Sequence, residues 1–241
     1  TFWSHQFSQI QEGGWSVLRR KAGIAVIKAL KLPLHAMSFT LALPVVLLVR
    51  LMRPFKLVRF GYFFAGRIGH FAFDVEYYLT EKKLGLHPIG SIDIFFYNWM
   101  KNNKPANSYF AKLTKRNLIV WSYVKYLFYV NRIIPGGARH ELLPCINRNG
   151  SRDLEGLFTK VHTQLSFTES ENKNGNNFLN SIGMDIDEKF ICLIIRDSAY
   201  LDNAIYGYHS FRNSNIDIYK EASIYLADKG YWVLRMGKKV N

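Results

Sequence analysis

The stretch from Leu57 to Leu79 does most to restrict what this chain can fold into. Leu57–Phe64 reads Leu-Val-Arg-Phe-Gly-Tyr-Phe-Phe, short, aromatic and β-branched, the pattern of a buried strand. Gly66 and Gly69 follow. From Phe71 the apolar spacing turns helical, with Phe71, Ala72, Val75, Tyr78 and Leu79 near one face. A strand that passes through glycines into a helix is the usual opening of a nucleotide-binding α/β domain. The glycines let a ligand approach the backbone, and the helix N-terminus favours negative charge. Arg67, His70 and Glu76 cluster at this turn. A tight turn carrying solvated side chains is the competing reading.

Further strands alternate with helices. Ile89–Tyr97 and Asn117–Trp121 read as strands, and Ser122 as the cap of a helix that Pro135-Gly136-Gly137 stops. Glu169–Asn177 is the most polar run and the best boundary candidate. Beyond it Phe178–Met184 reads as a short helix. Phe190–Ile195 is continuously apolar, as for a strand covered on both faces, with Cys192 as a small core residue. Ser214 and Asp217 have capping-box spacing before a helix that Gly230 ends, and Tyr231–Met236 is a last strand. Alternation of this kind predicts a largely parallel sheet. A hydrophobic content of 49% over 241 residues is enough for one large domain or two small ones.

The charge is uneven. Residues 1–59 hold nine Lys and Arg against one acid, Glu12, and so carry +8 of the net +14. Leu32–Val49 follows a basic helical stretch and holds no Lys, Arg, Asp or Glu, with bases at Lys31, Arg50, Arg53 and Lys56 around it. Pro33 and Pro44 interrupt it. A monotopic or re-entrant anchor on an anionic membrane face is favoured over a full span or a buried hairpin. Bases beside an apolar segment, rather than interleaved with aromatics, argue against a nucleic-acid partner. Two cysteines, Cys145 and Cys192, make neither a disulfide framework nor a zinc spacing, which fits a reducing, cytosolic setting.

Two constellations carry chemistry. In the first, Gly66-Arg67-Ile68-Gly69-His70 stands with Asp74 and Glu76; His70, past the glycine turn, is a candidate general base, and Glu76 lies six residues on. In the second, Arg196 and Asp197 leave a buried strand at the edge where α/β sheets bind ligands. The planar fork of arginine suits a diphosphate. Arg212 and Asn213 sit just before a helix start, another anion-friendly place. An Arg-Asp ion pair holding a loop is the competing reading.

Four elements in order carry a resemblance. They are Arg67-Ile68-Gly69-His70 with Glu76 and Leu79; Phe190-Ile-Cys through Arg196-Asp197-Ser198-Ala199-Tyr200; Tyr208-His209-Ser210 with Arg212-Asn213; and Gly230-Tyr231-Trp232-Val233 with Arg235-Met236-Gly237. Across residues 57–241 the chain resembles a family of bacterial glycosyltransferases associated with surface-polysaccharide synthesis. The strand followed by Arg196 is also similar to fucosyltransferase-like enzymes, in which such an arginine contacts the donor diphosphate. The resemblance implies an α/β fold of two Rossmann-like domains, of the GT-B type, without an obligatory metal or cofactor.

It also implies a nucleotide-sugar donor contacted by Arg67, Gly69, Arg196, Asp197, Tyr200, His209, Arg212 and Asn213. The acceptor would be a glycan or lipid-linked, with catalysis by His70 and Glu76. Residues 1–56 are then a helical membrane-associating segment, 57–170 an acceptor domain, and 171–241 a linker and the opening of a donor domain. The family's second domain extends further, so the sequence predicts a truncated second domain and weak activity from this chain alone. The expected location is the cytoplasmic face of the inner membrane. The alternative is a basic, non-catalytic membrane- or nucleic-acid-binding protein.

Overall fold

The computed structural model describes residues 2–98, 100, 104–144, 150–197 and 207–237. The chain divides into two units between Ser166 and Phe167.

The first unit begins with α1, Phe2–Leu51, which breaks once, at Gly14, where φ is +57° and ψ −150°. Beyond the break the helix runs on through Pro33 and Pro44. Ser38 and Thr40 turn their hydroxyls back to the carbonyls of Leu34 and Ala36, at 2.7 and 3.1 Å, so neither needs an outside partner. Within α1, Ala29–Leu51 has a mean hydropathy of 2.0 over 23 residues, long and apolar enough to cross a membrane. It is not isolated, however. Ala42 and Val46 are fully buried against α4 (Val124–Ile133) and the sheet, while Leu34, Met37, Leu41, Leu43 and Leu48 are exposed.

The sheet comprises β1 (Val58–Phe64), β2 (Ile92–Asn98), β3 (Ile119–Val120) and β4 (Glu141–Leu142). The order is β3-β2-β1-β4 and every pairing is parallel. The chain thus leaves the central β1, adds two strands on one side, then crosses to the other. Strand alternation sorts the aromatic residues between the faces. Phe60, Tyr62 and Phe96 pack with α1 and α4. Phe63 and Phe95 stack at 4.5 Å on the opposite face, with α2 (Ile68–Lys83) and α3 (Ser108–Asn117). Gly61 is required between them. A Cβ there would stand 2.9 Å from both the Leu142 carbonyl oxygen and the Phe95 ring.

At the amino-terminal edge of the sheet, Arg59 of β1 faces its register partner Asp93 of β2. Nε and Nη2 of Arg59 donate to the two carboxylate oxygens at 2.7 and 2.6 Å, and the Tyr78 hydroxyl donates to the same carboxylate at 2.6 Å. Burial pulls the Asp93 carboxyl upward, but the bonds from Arg59 and Tyr78 outweigh it and hold the group below its usual range. Burial, with the Asp93 charge beside it, pushes the Tyr78 phenol well above its usual range.

The second unit pairs β5 (Lys189–Ile194) in parallel with β6 (Tyr231–Met236). The polar run at 169–177, expected as a linker, is instead the body of α5, Glu169–Ser181. The reason is a reciprocal cap: Thr168 accepts from the Glu171 N–H, and Glu171 returns a carboxylate to the Thr168 N–H. Ser214 and Asp217 do not form the expected capping box. Asn215 instead accepts from the Asp217 N–H at 3.1 Å, opening a 3-10 turn that runs into α6, Lys220–Asp228. Ser122 likewise does not cap α4, whose boundary residue is Tyr123. Cys192 is exposed rather than a core residue, and Phe190 and Ile194 are exposed too. A continuous apolar run does not reveal whether a second layer covers the strand.

Candidate functional site

The turn from β1 into α2 sets the first group of residues. Arg67 is the boundary residue of α2, with extended backbone, and His70 lies in its first turn. No acidic residue lies in that turn. Helix N-termini favour negative charge, so two cation-capable side chains there run against the usual preference. They suit a place where an anion arrives from outside.

His70 is held from both sides. Its ring meets Phe64 edge-on at 5.4 Å between centroids. Its Nδ1 lies 2.9 Å from the Ser151 Oγ, and that hydroxyl donates to Asp74 Oδ1 at 3.3 Å. A serine has one hydroxyl proton. Given to Asp74, it leaves the oxygen to accept from Nδ1–H. The chain therefore runs from His70 to Ser151 to a carboxylate that is 1% exposed. With the Ser151 proton given to Asp74, Nδ1 carries the imidazole proton and the basic lone pair falls on Nε2. Ser151 achieves it with φ at +54°, a left-handed conformation costly for a residue with a Cβ.

The site's place in the sheet is informative. β1 and β4 are neighbours, and β1 leads into α2, whose first turn carries His70. A crevice at the carboxyl ends of such strands is where open α/β sheets bind ligands.

Glu76 is not part of this group. Its carboxylate accepts from the backbone N–H groups of Gln164 and Leu165, the latter at 3.2 Å. It anchors a strap along α2. Nearer Ser151, Asp153 accepts from the N–H groups of Leu157 and Phe158 at 2.8 and 3.0 Å, and Phe158 packs on Phe73 and Tyr77. Gly69 has ordinary backbone dihedrals and open space on its Cβ side, so the turn does not depend on glycine there.

In the second unit, the carboxyl ends of β5 and β6 bring together Arg196, Asp197 and Arg235. Asp197 pairs with Arg235 at 3.4 Å, across the strand pair. The Arg196 carbonyl accepts from the Ser214 N–H at 2.8 Å, which places Asn213 beside it. Arg212 closes the 3-10 turn Gly207–Arg212 and is exposed. His209 belongs to that turn, but its side chain, like Tyr200 as a whole, lies outside the described residues. Among the described residues, no three His, Cys, Asp or Glu side chains could hold a metal ion together.

Asp74 stood in the sequence constellation around His70 without a role, and Ser151 was not singled out. Asp74 had a signal, since it lies four residues after His70 and so shares its helical face. Ser151 had none, being 81 residues away. Compared with known proteins, the chain matches no family model, no curated protein and no solved structure, so the functional reading rests on its own residues.

Proposed function

We propose that this chain is a glycosyltransferase of two Rossmann-like domains. It moves a sugar from a nucleotide-sugar donor to a surface-glycan or lipid-linked acceptor at the cytoplasmic face of the inner membrane. The observation that supports it best is the chain from His70 through Ser151 to Asp74 at the carboxyl edge of a parallel sheet. In this reading the acceptor hydroxyl attacks the anomeric carbon while His70 Nε2 takes its proton. The bond from that carbon to the diphosphate oxygen breaks, and the nucleoside diphosphate leaves with the electron pair. Ser151 and Asp74 stabilise the imidazolium that forms. In the second unit, Arg196 and Arg212 are the groups suited to a diphosphate and its charge.

Calorimetric titration of the chain with a panel of nucleoside diphosphates and nucleotide sugars tests this. One of them should bind, and Arg196→Ala should weaken it, with Lys a poor substitute because the fork is lost. Absence of binding by every member of the panel overturns the reading. A second reading, a non-catalytic membrane-binding protein, is favoured by the exposed apolar side chains of α1. It predicts vesicle binding with no response to any nucleotide.

A further inference from the structure

The carboxyl ends of β2 and β3 open onto a groove of about 800 Å³, bordered by α3 and the start of α4. That volume matches a site for a sizeable small molecule. Tyr97, Trp121, Tyr123 and Tyr126 give it aromatic walls. Lys115 and Lys125 also line it and, among the described residues, no acidic side chain does. A groove with two positive charges and no negative one selects an anion.

Contacts on two sides place the groove. On one side it adjoins the His70 turn. Tyr97 meets Phe71, the residue after His70, edge-on at 5.2 Å, and the Ala65 N–H donates to the Asn98 carbonyl at 3.0 Å. On the other side it adjoins α1. The Tyr123 hydroxyl donates to the Ser38 carbonyl at 3.2 Å, and Phe39 meets Tyr126 edge-on at 5.2 Å. Within one turn of that contact α1 exposes Leu34, Met37 and Leu41. One side of the groove therefore adjoins Phe71 in the first turn of α2, and the other an uncovered apolar helix.

We propose that the groove binds the phosphate head group of a membrane lipid that carries the acceptor, with the lipid chain lying along α1. Lys115 and Lys125 neutralise the phosphate as point charges. The aromatic walls cover the first carbons of the chain, and the exposed leucines of α1 continue that surface. A free phosphate would use the lysines and leave the apolar side of the groove empty, so the lipid-borne group is the better fit. The lipid's role as acceptor rests on the glycosyltransferase reading; its binding does not.

The test uses the full chain on phosphatidylcholine vesicles doped with a phosphatidic acid carrying a photoreactive group next to its phosphate. After irradiation, crosslinked peptides are mapped by mass spectrometry. Crosslinks should concentrate in residues 97–126, and the double variant Lys115→Gln, Lys125→Gln should lower them about tenfold while vesicle binding through α1 persists. A matched phosphatidylcholine probe should not label the groove. Crosslinks confined to α1, or equal yields from the double variant, overturn the proposal. So does loss of groove labelling in millimolar inorganic phosphate at constant ionic strength, which would make this a free-phosphate site. The nucleotide titration reads the second unit independently, so either idea can fail while the other stands.

Discussion

Arg50, at the end of α1, grips Asn131 of α4 from two sides. Its Nε and Nη2 donate to the Asn131 Oδ1 at 3.0 and 2.9 Å, and Nη2 also reaches the Asn131 carbonyl at 2.7 Å. The same guanidinium donates to the carbonyls of Ile134 and Pro135, at 2.8 and 2.7 Å. These are carbonyls that the end of α4 cannot satisfy internally, so one arginine of α1 serves as the cap of another helix.

Arg50→Met should therefore destabilise the first unit by about 2–3 kcal/mol, as loss of charge-assisted bonds to partly buried acceptors does. Arg50→Lys should recover little of it, because one ammonium cannot reach four acceptors. Thermal unfolding in detergent measures both. Wild-type stability in Arg50→Met would mean that α1 docks through its apolar contacts alone.

Nitrogen-15 NMR of the imidazole rings should find His70 with its proton on Nδ1 when neutral, as follows if Ser151 gives its own proton to Asp74. Ser151→Ala should mix the two tautomers without unfolding the chain. If the Nε2–H form dominates in the wild type, the direction assigned to the hydrogen-bond chain is reversed, and His70 cannot act as the base through Nε2.

The Arg59, Asp93 and Tyr78 network predicts a pH dependence at both ends of the scale. The folded Asp93 carboxyl titrates below its unfolded value. Its contribution is complete above about pH 4 and is lost as pH falls through the folded value. The phenol of Tyr78 is raised, and burial pushes Tyr97 up to about 12, so their contributions hold below about pH 10 and are lost as pH rises beyond it. Denaturant midpoints across pH should show both slopes. Asp93→Asn should flatten the acid one. It should also cost about 3–5 kcal/mol at neutral pH, since Arg59 is left buried without its counter-charge.

Gly61→Ala should be among the most damaging single-methyl changes in the chain. The new Cβ meets a backbone oxygen of β4 and the ring of Phe95 at once, and the backbone oxygen cannot rotate away. A loss of about 1–3 kcal/mol is expected from overpacking. An unchanged unfolding midpoint would show that β4 can shift outward freely.

The sequence made β1 legible as a short aromatic and β-branched run, and α2 by its 3.6-residue period. β3 lies inside the run Asn117–Trp121 that reads as a strand, whereas β4, two residues long, shows no period, and only the structure gives their order beside the central strands. His70 was legible from its position after a strand. The residues that orient it were less so: Asp74 looks like a solvated charge until α2 is seen to bury it, and Ser151 arrives from a distant turn. Glu76 was recognised as significant, but helical geometry turns it away from His70, toward the backbone of Gln164 and Leu165.

The packing of α1 has a thermodynamic consequence. Ala42 and Val46 belong to the same buried cluster as Phe60, Tyr62, Phe96 and Phe128, so this helix is a wall of the core as well as an apolar exterior. Whatever covers its outer side binds only the docked helix in full. Coverage and folding are thus linked equilibria, each drawing on the other. Cutting the chain before β1 would not liberate a finished soluble domain. It would strip one face of the sheet and leave those aromatic rings open to water.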